Sequence, residues 1–360
     1  MLGAGVLWLV LEWYGATSEV PWLFLLAAWI AALVVAAAGY AWWNRAGLRL
    51  HLAVQGVQPT PGSPLEELPE TVLRRAPYRV PVFEGDRLQL EVGLTTRGAS
   101  RGPASVAGLI DGTQVALGAG LVPKEGWRQV QVLDHVRRGP LGATGWSIGT
   151  GDPMGFFRGA RPCADKEVTL VLPRFTSLAS RRESRELEAS VAAPRAGSGN
   201  ELFGIREYSP GDSLRRIHWR SSARHGELVV REYEPPGMQT LAILLEPAPA
   251  TREVADQIAR IAASEAWDCI SQGGRVLVWA PGLEPAQTTR DVWSQLEWLA
   301  RYPDGPVGPT DLRVNGAELV VITGGADQDL LEGADRAWVV GDAEVTADVP
   351  LVRVGLQWPL

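Results

Sequence analysis

Residues 241–280 read LAILLEPAPATREVADQIARIAASEAWDCISQGGRVLVWA, and the change of period inside them decides the fold class. Leu241 to Glu246 is a short apolar run of the kind that makes a strand buried on both faces. From Thr251 to Gln272 the residues Val254, Ile258, Ile261, Ala262, Ala266 and Cys269 recur at helical spacing, and Gly273-Gly274 ends the helix. Arg275 to Ala280 returns to a strand. Downstream the alternation continues with a helix over Thr288 to Tyr302, carrying Val292, Leu296 and Leu299 on one face, and then the strands ELVVIT (318–323) and RAWVV (336–340). Apolar strands alternating with amphipathic helices predict a doubly wound α/β domain with parallel strands over 240–360.

Upstream, residues 47–175 read as β-structure. In RLQLEVGL (87–94), Leu88, Leu90, Val92 and Leu94 alternate with Arg87, Gln89 and Glu91, the mark of a half-buried antiparallel strand. Shorter strand candidates follow at Ala104 to Ile110, Gln129 to Leu133 and Val168 to Leu172, with no helical period between them, so a small β-sandwich is expected.

Further upstream, Val20 to Trp43 holds no charge. As a helix it spans roughly 36 Å, enough to cross a hydrocarbon core of about 30 Å with some tilt. Trp22 at one end and Tyr40, Trp42 and Trp43 at the other suit the two interfaces. Met1 to Tyr14 is apolar but short, and Glu12 is costly in lipid. The anchor over 1–46 is therefore one helix or a hairpin. Arg45 and Arg49 directly after the span place the rest of the chain in the cytoplasm by the positive-inside rule. A membrane-anchored protein in contact with lipid, its bulk cytoplasmic, is the expected setting. Two cysteines, Cys163 and Cys269, fit free thiols in a reducing compartment better than a zinc site. An excess of 41 acidic over 34 basic residues argues against nucleic acid as a general partner.

Between the two globular parts, 176–239 forms a linker that contains the densest polar run of the chain. Gly197 to Glu234 reads GSGNELFGIREYSPGDSLRRIHWRSSARHGELVVREYE and sets six arginines against six carboxylates around the turn Pro210-Gly211-Asp212. Its core, from Phe203 to Glu234, resembles the signature of the "domain of unknown function 58" family. Residues 136–159, VRRGPLGATGWSIGTGDPMGFFRG, with VTLVLPRF after them, resemble that family too; Gly155 and Phe156 are read there as a tight turn and a hydrophobic plug. Members of the family are bacterial membrane proteins associated with MoxR-type AAA+ ATPases, and their α/β portion is similar to a von Willebrand factor A domain. The resemblance therefore implies a transmembrane hairpin, a von Willebrand A-like fold, and a MoxR-type ATPase as partner.

Three chemistries are conceivable for these residues. A von Willebrand A domain often holds a divalent cation through D-x-S-x-S and a later Asp. Here Glu246 opens that stretch, Ala248 and Ala250 replace the hydroxyl ligands, and Gly324 stands for the later Asp. Only Glu246 and Asp327 remain, too few oxygens for a hard cation, so a degenerate site without metal or other cofactor is expected. Asp212, His218, Ser221, Ser222 and His225 could be drawn as a triad, but no G-x-S-x-G elbow or Walker A motif supports catalysis, and no enzyme activity is expected. The Arg-rich run suits anions by its planar guanidinium groups. Its flanking acids equally suit an internal clasp made by Arg206, Glu207, Tyr208, Gly211, Asp212, Arg215 and Trp219. Arg216, Arg220, Ser222, Arg224 and Arg231 are then left as a candidate partner surface. These observations lead to a non-enzymatic adaptor or scaffold working with the ATPase in assembly or maturation of another complex. The competing classes are an anion or nucleotide sensor and an undetected hydrolase.

Overall fold

The computed structural model describes residues 2–18, 21–178, 202–207, 229–233, 240–311, 317–325, 327, 329–346 and 349–359. The chain forms two compact units, Met1–Arg174 with Ala300–Tyr302, and Phe175–Leu299 with Pro303–Leu360.

The first unit begins with two helices, α1 (Leu2–Ser18) and α2 (Pro21–Ala46). Trp22–Ala46 is long and apolar enough to cross a membrane, with a mean hydropathy of 2.3. Its large apolar side chains point outward, Trp29 and Trp42 each 75 % exposed and Val35 70 %. Gly47 leads straight into β1 (Leu48–Gln58), followed by two short helical turns, α3 (Pro64–Glu67) and α4 (Glu70–Leu73). Eight further strands complete the unit: β2 (Val82–Phe83), β3 (Arg87–Thr96), β4 (Ala104–Ile110), β5 (Thr113–Ala119), β6 (Trp127–Leu133), β7 (Gly139–Gly151), β8 (Arg158–Pro162) and β9 (Lys166–Leu172).

Strands β1, β3 and β6 form one antiparallel sheet, while β2, β9, β7, β4 and β5 form a second in that order, with β8 also paired to β7. Leu88, Leu90, Val92 and Leu94 are fully buried, as their alternation predicts, and they share one core with Val106, Ile110, Trp146 and Ile148 of the other sheet. The Trp146 indole lies over Gly108, where any Cβ would enter the ring, and its Nε1 donates to the Leu109 carbonyl at 3.0 Å. Strands β5, β7 and β8 carry no clear alternation of their own. Gly-rich β7 (GPLGATGWSIGTG) is a strand because it has neighbours on both sides.

In the second unit β10 (Leu202–Glu207) pairs antiparallel with β11 (Val229–Tyr233) as a sheet of two strands. In this ladder Arg206 stands opposite Val230. The main sheet contains β12 (Thr240–Leu245), β13 (Arg275–Trp279), β14 (Glu318–Thr323), β15 (Arg336–Val340) and β16 (Leu351–Val354), all parallel, in the order β13-β12-β14-β15-β16. Helix α5 (Arg252–Ser271) joins β12 to β13, and α6 (Val292–Arg301) precedes β14. The expected strand-helix alternation stops there. Among the described residues, β14 and β15 are joined through a three-residue 3-10 turn at Asp329–Leu331, and no helix follows β15. The Gly324-Gly325 and Gly333 breaks leave too few residues for a helix.

Helix α5 organises this unit. Thr251 caps it by accepting from the Val254 amide at 3.3 Å, and Gly273, at a φ of +86°, turns the chain out at the other end. Ala255, Ile258, Ala259, Ala262 and Ala266 are buried, and so are four polar residues. Gln257 donates to the carbonyls of Gly355 and Gln357. The Ser264 hydroxyl accepts from the Thr176 amide, and the Asp268 carboxylate accepts from the Leu178 amide. Fully buried Glu265 receives Arg336 through two bonds of 2.6 and 2.8 Å and the Trp338 indole at 2.8 Å. The opposite side of the sheet carries a second cluster, with Leu244, Trp279, Val321, Ala337 and Val339 packed with Leu331, Ala334 and Val345.

Candidate functional site

In an open parallel sheet the strand order reverses between two neighbours, and the crevice at their carboxyl ends is the usual ligand position. Here those neighbours are β12 and β14, which places Glu246, Thr323 and Gly324 together. Glu246 is 1 % exposed. Its Oε2 accepts from the Thr323 hydroxyl at 2.8 Å and from the Gly324 amide at 2.5 Å, while the Gly325 amide donates to Thr323 Oγ1 at 2.8 Å. The carboxylate thus ties the two strand ends together. A Cβ on Gly324 would stand 2.7 Å from Val254 Cγ1 and 3.4 Å from Glu246 Oε2, which explains a glycine in place of an acid. Asp327, the other remaining acid, accepts from the Asp329 amide and caps the 3-10 turn. Both carboxylates serve local structure, and among the described residues no three metal-type side chains gather into a cluster.

The Arg-rich segment falls mostly elsewhere. Tyr208, Gly211, Asp212, Arg215, Arg216, Trp219, Arg220, Ser222 and Arg224 lie outside the described residues, as do His218, Ser221 and His225. Backbone pairing does place Arg206 opposite Val230, Glu207 opposite Val229, and Arg231 opposite Ile205, so the two ends of the segment meet as an antiparallel pair.

A second constellation, at the end of α2, went unread in the sequence. Asn44 is fully buried, and its Nδ2 donates to the carbonyls of Pro103 at 3.1 Å and Gly151 at 3.0 Å. Tyr40 donates its hydroxyl to the Gly102 carbonyl at 2.6 Å, and Arg45 donates to the Ala160 carbonyl at 3.1 Å. From the other direction Arg101, 7 % exposed, reaches the Trp43 carbonyl and stacks its guanidinium carbon 3.9 Å from the Trp43 ring centroid. One of the last carbonyls of the helix is thereby satisfied by a cation, which also suits the helix dipole. The sequence signal for this joint was the polar Asn44 set between Trp43 and Arg45 at the end of an apolar run.

Beside the joint, residues 152–157 connect β7 to β8. The Asp152 carboxylate accepts from the Met154 amide at 2.9 Å and from Phe157 at 2.5 Å, and Gly155 turns at a φ of +78°. Burial pushes the Asp152 carboxyl upward, the amide bonds from Phe157 and Met154 pull it down, and the net direction is below the ordinary value. The tight turn expected at Gly155 is present. Phe156 is no plug of the β-core: with Phe157 it borders an apolar crevice of about 320 Å³ against Trp8, Ile30 and Val34 of the two helices.

Comparison with known proteins adds a family without an assigned role. The model described as "Protein of unknown function DUF58" matches residues 204–313. "Uncharacterized protein YeaD" of Bacillus subtilis (strain 168) is 22 % identical over 233 residues, covering 59 % of this chain and 56 % of that protein. The chain thus matches little more than half the length of this relative.

Proposed function

We propose that the chain is a non-enzymatic scaffold anchored in the bacterial inner membrane, its globular bulk in the cytoplasm and a MoxR-type AAA+ ATPase as its partner. In this reading the two sheets of the first unit are a β-sandwich, the second unit is a von Willebrand A-like domain that has lost its cation site, and the Arg-rich segment is the docking surface. The observation that carries it is the joint at Tyr40, Asn44 and Arg101. It holds a lipid-compatible helix to a folded unit through buried hydrogen bonds, as an anchor that transmits position or force requires. The tie between Glu246, Thr323 and Gly324 supports a structural rather than a catalytic α/β unit.

Co-purification from mildly solubilised membranes tests the partner. The ATPase should be recovered with the full chain and lost with the triple variant Arg216→Ala, Arg220→Ala and Arg224→Ala, whose melting temperature should stay within a few degrees of the parent. Recovery undiminished in a folded triple variant would remove the docking role from these arginines.

A further inference from the structure

We infer that the β7–β8 turn dips into the bilayer beside α2 and that, together with the cleft beneath it, it seats an anionic phospholipid. This rests on the membrane-anchored reading above. The argument begins with depth. Arg45 marks the polar end of α2, and Val34 lies about three turns away, roughly 16 Å along the axis. The hydrocarbon half-thickness is about 15 Å, so Val34 stands near the bilayer midplane, and side chains that border a crevice with it, Ile30 and Val35 lie within the hydrocarbon. Phe156 and Phe157 are such side chains, and Met154 at the tip is 61 % exposed. Three large apolar residues on a surface turn are costly in water and favourable in lipid.

The chemistry changes at the level of the joint. On its other side the turn borders a more polar cleft of about 620 Å³, lined by Ser105, Thr150 and Arg158 together with Asp152, Met154 and Gly155 of the turn itself. Asn44 and Arg45 bind the carbonyls of Gly151 and Ala160 at its border, which fixes this cleft at the end of α2, the headgroup level. A Cβ at Gly155 would lie 3.6 Å from Arg158 Nη2, and one at Gly159 the same distance from Arg45 Nη1, so one guanidinium group lies along the turn and a second beside β8 at its base. The Asp152 carboxylate is turned inward to its own loop amides. An apolar crevice above two arginines matches an acyl chain above a phosphate. Continuity with the outward apolar surface of α2 selects a lipid of the surrounding bilayer as occupant.

The test uses the full chain with Cys163→Ser and Cys269→Ser, reconstituted in phosphatidylcholine–phosphatidylglycerol vesicles. An environment-sensitive fluorophore is placed singly at Met154→Cys, at Val35→Cys on α2, and at Thr113→Cys on the β4–β5 turn. The labels at 154 and 35 should be blue-shifted and quenched several-fold more strongly by acyl-chain nitroxide lipids than the label at 113. Quenching at 35 without quenching at 154 would overturn the insertion and leave the anchor standing; quenching at neither would overturn both. A label at 154 shielded from aqueous iodide yet unquenched by the lipids would mean a covering protein, and would overturn the lipid assignment. In the second arm, Arg158→Ala should retain several-fold less phosphatidylglycerol through purification, with phosphatidylcholine unchanged. Equal retention, or displacement of the lipid by inorganic phosphate, would overturn the headgroup site.

Discussion

Two residues carry more of the structure than their neighbours. Asn44 sits where an apolar helix ends, and its amide is the donor that both the Pro103 and Gly151 carbonyls use. Asn44→Leu keeps the volume but strands those carbonyls, at a cost of about 1–3 kcal/mol for each group left unsatisfied when buried. The expected outcome is a lower melting temperature in detergent and earlier proteolysis at the Gly47 junction, with the chain still recovered in the membrane fraction. Arg336 is the second. Burial alone would lower its pKa, but the hydrogen bonds and charge of Glu265, then those of Glu318, outweigh it and the net direction is up, so the guanidinium stays charged at every accessible pH. Arg336→Ala leaves Glu265 buried with only the Trp338 indole as its bonded neighbour from β15. Loss of one partner from a buried pair costs about 3–5 kcal/mol, which a urea titration would read as a midpoint shift.

At the scale of elements, periodicity told much of the fold and little of its fastening. The strand at 87–94 and the helix after Thr251 were legible because one face of each is uniformly apolar, and the strand at 318–323 because its apolar run is unbroken. Gln257, Ser264, Glu265 and Asp268 were not, because a polar residue on an amphipathic helix reads as outward until its partners are known. Those partners stand far away in the chain, at Gly355, Thr176, Arg336 and Leu178. Strand β7 carries little signal in its own pattern for a similar reason: its glycines have low intrinsic preference, and the neighbouring strands impose the conformation. The carboxylate of Glu246 at the end of its strand could be read directly, whereas the bond it accepts from Thr323 could not. The resulting expectation concerns metal. Millimolar Mg²⁺ or Mn²⁺ should leave the melting temperature unchanged, because Glu246 Oε2 is already bonded to the Gly324 amide and the Thr323 hydroxyl, and one carboxylate offers too few oxygens for a hard cation. A saturable rise that a chelator reverses would show that other oxygens rebuild the site.

For the whole molecule the decisive question is on which side of the membrane its bulk lies. Trp22–Ala46 is the span candidate among the described residues, and the joint holds the first unit to the end of that helix where Arg45 stands. Cations flanking a span are retained on the cytoplasmic side, so the first unit should be cytoplasmic. The cysteines provide a readout that needs no fusion partner. Both are free thiols of intermediate exposure. Burial raises the Cys163 pKa, with Arg161 working weakly against it, so less of that thiol is thiolate at neutral pH than for an ordinary cysteine. A membrane-impermeant maleimide added to intact spheroplasts should therefore label neither residue. After permeabilisation labelling should appear, with Cys163 reacting slowly near pH 7 and gaining rate as the pH rises toward its elevated pKa. Comparison of the Cys163→Ser and Cys269→Ser variants separates the two signals. Labelling of Cys163 in intact spheroplasts at the rate seen after permeabilisation would place the first unit outside the cell membrane, reversing the orientation read from Arg45 and Arg49 and removing a cytoplasmic ATPase from its reach.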